Sequence, residues 1–305
     1  MDVVAFAARI PVAGETIIGH SSFTAPGGKG ANQAYAAARL AGNAAMLGRV
    51  GDDAFGRRLR ENLQQAGCDV SGVGSVEGSS GVALIFVADS GQNCIVVVPG
   101  ANAKFLPDHV ACNPDLFLGA QVALLQLEIP METVAAGAQA AKKAKARVIL
   151  DPAPADPKCV SLFPYVDILT PNETEAAILA GAPPSRLGPR EAASVAHKLQ
   201  NEGAGTVIVK LGDQGCVLVE GKRAILMPAP KVNAVDTTAA GDVFNAALAV
   251  ALSEGMNLPD ACGFANCAAA ISVTRPGAQG AAPSRQDVET FARSRPLPAP
   301  VQLAG

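Results

Sequence analysis

The 305-residue chain has a formal charge of −3, and 49% of its residues are hydrophobic although only 4% are aromatic. Val, Ile, Leu and Ala must therefore fill the core, which suits parallel strands flanked by helices better than a β-sandwich. Charged residues make up 17% of the chain without forming a basic block, so we expect no nucleic-acid partner.

Cysteine usage and the apolar stretches bear on the cellular compartment. The seven cysteines are odd in number and form no CxxC or Cys/His cluster, which predicts reduced thiols rather than disulfides or zinc. We interpret Cys262 and Cys267 as small helix-packing residues. The first twenty residues predict no signal peptide. The apolar stretch 243–252 is shorter than the ~20 residues of a membrane span. We therefore expect a cytoplasmic protein without a membrane contact.

Two extended segments predict a small sheet. Residues 3–23 read as extended pieces broken at Pro11 and Gly14, and residues 82–98 read as a hairpin around polar turn residues. Extended segments inserted in an α/β chain often cover a ligand crevice as a lid, although they could also be plain edge strands. We predict a lid formed by residues 1–24 and 81–98. The remaining residues, 25–80 and 99–305, would form an α/β core that binds nucleotide and sugar.

The motif PGGKGAN at residues 26–32 precedes the helical run 33–40. Its glycines let the backbone approach a ligand closely just before a helix begins, and Lys29 and Asn32 offer donors to hydroxyls or phosphate. The motif is not a Walker A loop, and residues 51–57 have the Walker glycine spacing without its Lys-Thr ending. A plain turn explains the two adjacent glycines equally well, so this motif alone does not decide between a turn and a ligand-binding loop.

From residue 122 onward, apolar runs alternate with Ala-rich helical stretches, which predicts a doubly wound, mostly parallel sheet flanked by helices. The predicted strands cover residues 122–127, 147–150, 166–169 and 206–210. The predicted helices cover residues 131–146, 173–180 and 190–202. Each strand ends at a polar or turn-forming residue, namely Glu128, Asp151, Asn172 and Asp213. Because the carboxyl ends of parallel strands face one crevice, four such endings favour a ligand site over ordinary strand terminators.

The motif DTTAAGD at residues 236–242 lies between a predicted short strand, 231–235, and an apolar helix. The small residues 239–241 therefore lie at a helix N-terminus, where free amides and the helix dipole favour an anion. Asp242 in the first turn could take the proton from an attacking hydroxyl, as a catalytic Asp does in kinases. A role as N-cap would explain Asp242, but it would not explain the three small residues before it.

Taken together, these motifs resemble the ribokinase-like family of sugar kinases over nearly the whole chain. GGKGANQA is similar to the family's sugar-binding loop, and DTTAAGD is similar to the signature around its catalytic base. Seven further segments occur in the family's order: GRVGDDAFG, the hairpin GVALIFV–QNCIVVVPGANA, LLQLE, DPAPA, TPNETEA, KLGDQG and FANCAAAISVTRPGAQ. The resemblance implies an ATP-dependent kinase. DTTAAGD, in place of the DTTGAGD of fructokinase-like relatives, favours the 5-hydroxyl of D-ribose as acceptor.

The resemblance also implies roles for individual residues. Asp242 would be the base, and the anion hole for the transferring phosphoryl group would consist of Ala239, Ala240 and Gly241. The implied sugar ligands are Asp2, Gly28, Lys29, Asn32, Glu128 and Asp242. The implied nucleotide-site residues are Asn172, Lys210, Gly212, Gly215 and Asn266. Asn172 and Glu175 are similar to the family's N-x-x-E pair, which organises Mg²⁺ around the phosphates, and Glu175 would hold the ion through water. A monovalent-cation site, typically for K⁺, is implied at Asp236, Thr238, Ser272, Arg275 and Gly277, where ordinary loop packing is the alternative.

The chain departs from the family pattern at its start. Relatives open with a core strand that ends in Gly-x-x-Asn-x-Asp, whereas here only Asp2 matches that motif. If that strand is absent, unpaired backbone and exposed apolar faces on its neighbours should destabilise the fold. Relatives often pair through their lid sheets, which implies a homodimer.

Three other functions remain open. A kinase of the same family could act on deoxyribose, fructose or a nucleoside. A truncated relative could bind sugar or nucleotide without turnover, although the retained Asp242 argues against this. An NAD-dependent Rossmann enzyme is disfavoured, because Gly72-Val-Gly74 lacks the third glycine of the dinucleotide fingerprint.

Overall fold

The computed structural model describes residues 1–41, 43–294 and 297–303. The strands are β1 Asp2–Ala7, β2 Ser21–Ala25, β3 Gly48–Gly51, β4 Val73–Val76, β5 Val82–Ala88, β6 Asn93–Val98, β7 Val122–Leu125, β8 Arg147–Leu150, β9 Ile168–Leu169, β10 Thr206–Lys210, β11 Cys216–Glu220, β12 Arg223–Met227 and β13 Val301–Gln302. The helices are α1 Lys29–Ala41, α2 Ala54–Gln65, α3 Pro107–Ala111, α4 Met131–Lys143, α5 Glu173–Leu179, α6 Pro189–Asn201, α7 Ala240–Ser253, α8 Leu258–Ser272 and α9 Arg285–Arg293.

A seven-stranded sheet forms the centre of the fold, in the order β13-β12-β11-β10-β9-β8-β7. Strands β7 to β10 pair in parallel, as predicted from the alternating strand and helix signals. Strands β11, β12 and β13 continue the sheet with antiparallel pairing, which makes the sheet mixed and was not predicted. The four predicted strands and three predicted helices of this half are confirmed, with ends that shift by up to three residues.

The predicted strand at residues 231–235 is wrong. The chain leaves the sheet after Met227, and no strand follows before α7. Pro228 and Pro230 stand at this point, and a proline has no N–H to donate to a neighbouring strand. The backbone N–H of Val235 instead donates to the carbonyl of Val273, at the end of α8, over 2.7 Å.

Helix α7 forms the middle of the helical layer on one face of the sheet. It is apolar around its whole circumference, and every residue from Asp242 to Leu252 is buried. Alanines in α7 and in the neighbouring α8, among them Ala247 and Ala265, are fully buried, which lets these helices approach closely. Cys262 and Cys267 are buried in the same layer, as predicted, and none of the seven cysteines forms a disulfide.

A separate four-stranded sheet has the order β2-β1-β5-β6 and forms the small lid. The predicted hairpin is confirmed, because β5 and β6 pair antiparallel from Val82 opposite Val98 to Val87 opposite Asn93. All six residues of the outer strand β6 are exposed. The exact division between the lid, residues 1–24 with 81–98, and the core remains a prediction.

One edge of the central sheet is open. Within the described ranges, β7 pairs with β8 alone, and β3 and β4 form a two-stranded parallel sheet of their own. A cavity of about 670 Å³ is lined by β3, by the segment that follows β7 and by the first residues of the lid. No helix in the described part of the chain is both long and apolar enough to cross a bilayer.

Two glycines outside the cavity provide a test of the backbone packing. At Gly205 a Cβ atom would lie 2.5 Å from the carbonyl oxygen of Asp167, whereas at Gly263 in α8 it would meet no atom within 4 Å. We expect Gly205→Ala to lower the free energy of unfolding by about 1–3 kcal/mol through overpacking. We expect Gly263→Ala to raise it by about 0.5–1 kcal/mol, because Ala is the better helix former. Urea unfolding followed by circular dichroism measures both, and a stable Gly205→Ala variant would contradict this packing.

Candidate active site

The first turn of α7 forms a bare helix N-terminus. The helix begins at Ala240, and Ala239 is its N-cap in the left-handed conformation, with φ 57°. The first backbone N–H groups of a helix have no intrahelical acceptor, and the dipole adds about half a positive charge there. Because residues 239–241 carry at most a methyl group, an anion can approach the N–H groups of Ala239 and Gly241 unobstructed, whereas the N–H of Ala240 donates to the carbonyl of Thr237 at 3.2 Å. The predicted helix start is therefore confirmed, and the N-cap interpretation of Asp242 is wrong.

Asp242 is the third residue of α7 and lies in this first turn, with only 5% of its surface exposed. Its carboxylate accepts hydrogen bonds from Asn32 Nδ2 at 2.9 Å and from Gln33 Nε2 at 3.1 Å. Burial, followed by repulsion from Asp151, raises the pKa of Asp242 to about 6, although Lys29 and the two amides lower it. The carboxyl group is thus ionised at neutral pH and is far more basic than an exposed aspartate, which suits it to accept a proton.

The glycine loop before α1 contacts two carboxylates. The backbone N–H of Lys29 donates to Glu128 Oε2 at 2.8 Å, and Gly28 adopts φ 93°, a conformation that favours glycine. A Cβ atom on Gly27 would lie 2.3 Å from a carboxylate oxygen of Asp2. Burial raises the pKa of both Asp2 and Glu128. The predicted sugar ligands Asp2, Gly28, Lys29 and Glu128 therefore line the same cavity.

Negative charge dominates around Lys29. Burial by itself lowers the pKa of this ammonium group, but four carboxylates outweigh the burial and raise the pKa above its usual value. They belong to Asp242, Asp151, Glu128 and Glu175. An excess of carboxylates in a partly buried site favours the binding of cations and of hydroxyl donors.

The predicted nucleotide residues surround the ends of β10 and β12. Gly215 has φ 99°, and a Cβ atom there would lie 2.1 Å from the carbonyl oxygen of Met227. Asn266 in α8 donates from Nδ2 to the same carbonyl at 2.8 Å and is buried. A Cβ atom on Gly212 would meet nothing within 4 Å, so this turn borders open space. Glycine is required at position 215 because the two chain segments touch.

Asn172 and Glu175, the predicted Mg²⁺ pair, cap helix α5. The Asn172 side chain accepts from the backbone N–H of Glu175, and the Glu175 carboxylate accepts from the backbone N–H of Asn172, each at 2.8 Å. This reciprocal capping explains the N-x-x-E spacing structurally. Burial, partly offset by Lys210, raises the pKa of Glu175. The oxygen donors of this pair fit Mg²⁺. Within the described residues, no three acidic, His or Cys side chains form a metal cluster.

Only part of the predicted monovalent-cation site comes together. The Asp236 carboxylate accepts from the backbone N–H of Thr238 at 2.9 Å and from that of Gly277 at 2.8 Å. Burial raises the pKa of Asp236, but these hydrogen bonds outweigh it and hold the pKa below its usual value. The side chains of the other two residues point elsewhere: Ser272 Oγ donates to its own helix, and the Arg275 guanidinium contacts Asp287.

Sequence reasoning missed Gln33 as a site residue and treated Asp151 only as a strand ending. Gln33 is 1% exposed, and its Nε2 donates both to Asp242 and to Asp151 Oδ2, the latter at 3.0 Å. The sequence feature that could have identified Gln33 is the polar pair Asn32-Gln33 inside an Ala-rich helix. That helix packs against another apolar helix. Gln279 was also missed. It donates to Asn32 Oδ1 at 3.0 Å and orients the amide that holds Asp242.

Comparison with known proteins places this chain in a family. The ribokinase of Bacillus subtilis is 41% identical over 290 residues, which cover 95% of each chain. A deoxyribokinase of Salmonella typhi is 36% identical over 293 residues, again 95% of each chain. The structure of Arabidopsis thaliana ribokinase complexed with ribose and ATP superposes with a TM-score of 0.86, at 36% identity over 95% of each chain. Residues 1–285 match the pfkB family carbohydrate kinase profile, and the chain belongs to this family.

Proposed function

We propose that this protein transfers the γ-phosphoryl group of ATP to the 5-hydroxyl of D-ribose. The observation that carries the proposal is that Asp242, in the first turn of α7, is buried and has a raised pKa. The similarity to a ribokinase from Bacillus subtilis and to the ribose and ATP complex of the Arabidopsis enzyme supports ribose as acceptor and ATP as donor.

The reaction follows from the arrangement around Asp242. The sugar hydroxyl loses its proton to the carboxylate, and its oxygen attacks the γ-phosphorus while the bond to the ADP oxygen breaks. Asn32 and Gln33 hold both carboxylate oxygens, so the base has a fixed orientation. The amides of residues 239–241 stabilise the charge that spreads over the phosphoryl oxygens.

The sugar occupies the cavity beside the glycine loop in this proposal. The carboxylates of Asp2 and Glu128 accept hydrogen bonds from sugar hydroxyls. Gly28 and Lys29 supply the opposing donors from the cavity wall, and Asn32, behind that wall, donates to Asp242. The cavity of about 670 Å³ exceeds the volume of a pentose and leaves room for water or for movement of the lid.

The nucleotide lies against the ends of β10 and β12. Gly212 leaves space for its base, Gly215 lets the chain pass close to Met227, and Asn266 borders this pocket through its contact with Met227. Asn172 and Lys210, which are joined by a parallel β-bridge, would contact the phosphates. Mg²⁺ bound through water to Glu175 would neutralise charge on the phosphates.

A monovalent cation such as K⁺ is a further part of the proposal. Its site is the loop in which Asp236 holds Thr238 and Gly277, next to the segment of Ser272 and Arg275 at the end of α8. This loop leads directly into the anion hole. A cytoplasmic location also remains our proposal, supported by a cysteine pattern without a CxxC motif or a Cys/His cluster.

The acceptor is tested with a panel of sugars. We expect ADP release, followed by a coupled assay, to be fastest with D-ribose and slower with 2-deoxyribose, fructose and nucleosides. A hydrogen-bonding site discriminates against an analogue that lacks a hydroxyl, because its buried polar groups then stay unpaired. Faster turnover of deoxyribose would assign the chain to the activity of its Salmonella relative. Ribose binding by calorimetry without turnover would indicate a non-catalytic protein.

The role of Asp242 is tested by Asp242→Asn. We expect kcat to fall about 10²–10⁴-fold, while the calorimetric affinities for ribose and ATP stay near those of the wild type. Since the pKa of Asp242 is about 6, kcat/KM of the wild type should rise with pH up to that value and then level off. The control is Asp115→Asn, which removes an exposed carboxylate. Near-wild-type turnover of Asp242→Asn would exclude this residue as the base.

We also propose that the lid pairs two copies of the chain. Strand β6 leaves Val96 52% exposed, and its neighbours across the strand pair, Leu84 and Phe86, are also exposed. Such a contiguous apolar surface on an edge strand favours association.

The pairing is tested by sedimentation velocity. The wild type should sediment as a dimer, and Val96→Asp should shift it toward the monomer, because a charge would be buried without a partner. Leu118→Asp is the matched control, since Leu118 is 74% exposed but lies outside the lid. A monomeric wild type, or a dimer unaffected by Val96→Asp, would exclude pairing through this strand.

A further inference from the structure

A buried ion pair lies at the end of strand β10. Lys210 Nζ is 2.9 Å from Asp151 Oδ1, and the two side chains are only 12% and 3% exposed. Burying two opposite charges rarely stabilises a fold, because the loss of hydration offsets most of their attraction. Stabilisation of the fold therefore does not explain this ion pair, and we looked for a role in the active site.

The position of the Lys210 ammonium is unusual. A Cβ atom built on Gly241 would lie 3.4 Å from Nζ, so the ammonium group lies beside the first turn of α7. A cation is disfavoured at this end of a helix, because the dipole is positive there. The ammonium group thus adds a second positive charge beside that of the helix start. An anion beside both would relieve their repulsion.

Asp151 connects this cation to the base. Its Oδ1 contacts Lys210, and its Oδ2 accepts from Gln33 Nε2, which also donates to Asp242. One buried network, Lys210–Asp151–Gln33–Asp242, thus spans from the anion hole to the base. Gln33 Oε1 has no hydrogen-bond partner, so the amide is held by its donor side alone.

We propose that Lys210 Nζ contacts the phosphoryl group during its transfer and that Asp151 is the positioning residue that holds the ammonium group there. This inference rests on the proposed kinase function. Lys210 stays protonated throughout. The proton of the sugar hydroxyl goes to Asp242, and the bonds that form and break are those of the phosphoryl transfer described above. Lys210 adds a full positive charge to an anion hole otherwise built of amides, where fixed charges act most strongly on the transition state.

The first test compares Lys210→Met with Lys210→Arg. We expect Lys210→Met to lower kcat about 10²–10³-fold, with the KM for ribose unchanged. Lys210→Arg keeps the positive charge and should therefore lower kcat less than Lys210→Met does. The control is Lys142→Met, which removes a surface ion pair of 2.7 Å with Asp167. Wild-type kcat in Lys210→Met would overturn the proposal, as would an equal loss in Lys142→Met.

Removing Lys210 alone leaves Asp151 buried without its partner, which could unfold the protein. The double variant Asp151→Asn/Lys210→Met removes both charges while keeping similar shapes, so it should fold and remain as slow as Lys210→Met. Asp151→Asn alone should lower kcat less than Lys210→Met does, because the ammonium group stays but is no longer held. Full activity in the double variant would assign the pair a merely structural role.

The second test needs no sugar and therefore separates this inference from the proposed function. Calorimetry compares the non-hydrolysable ATP analogue AMP-PNP with AMP, which lacks the β- and γ-phosphates. Lys210→Met should weaken AMP-PNP binding by about tenfold or more and leave AMP binding within about twofold. Equal effects on both nucleotides would refute the phosphate contact. If the wild type phosphorylates no sugar, the proposed function fails, but this comparison still decides the role of Lys210.

Discussion

The packing of α1 against α7 is the constraint on which the site depends. An aspartate that is only 5% exposed must find hydrogen-bond partners inside the protein, since burying a bare carboxylate is strongly unfavourable. Asn32 and Gln33 meet this requirement from the first turn of α1, and small residues in both helices let the helices approach closely enough. The same contact brings the glycine loop, which precedes α1, next to the bare start of α7. The proposed sugar loop, base and anion hole are thus positioned by one helix pair.

Charge is distributed unevenly around this contact. Lys29 faces four carboxylates, while Lys210 is already paired with one of them, Asp151. The sugar side of the site is rich in acceptors, which suits a ligand made of hydroxyl donors. The phosphate side gathers the start of α7 and Lys210, which suits an anion. In our proposal, one half of the site therefore binds a ligand made of hydroxyl donors and the other half binds an anion. Asp242 lies between the two halves. Its raised pKa follows from that position, between burial and a neighbouring carboxylate.

The sequence predicted the elements more reliably than the partners of each side chain. The strand and helix pattern from residue 122 onward gave the parallel half of the sheet, because hydrophobic periodicity is a local property. The strand predicted at residues 231–235 failed, since two prolines before it decided the path of the chain. Asn172 and Glu175 matched a family motif, yet their direct contacts are those of a helix cap. A motif identifies residues that belong together but does not say which atoms they use.

By itself the sequence determined the family-level fold, the helix start at residues 239–241 and the grouping of polar strand ends at one edge. These features depend on the positions of glycine, alanine and proline and on the periodicity of hydrophobic residues, all of which are local properties of the sequence. Only the tertiary structure decided that Gln33 bridges Asp151 and Asp242, that Lys210 lies beside Gly241, and that β7 has an open edge within the described residues. Those contacts join residues separated by 31 to 209 positions, and no local pattern specifies them.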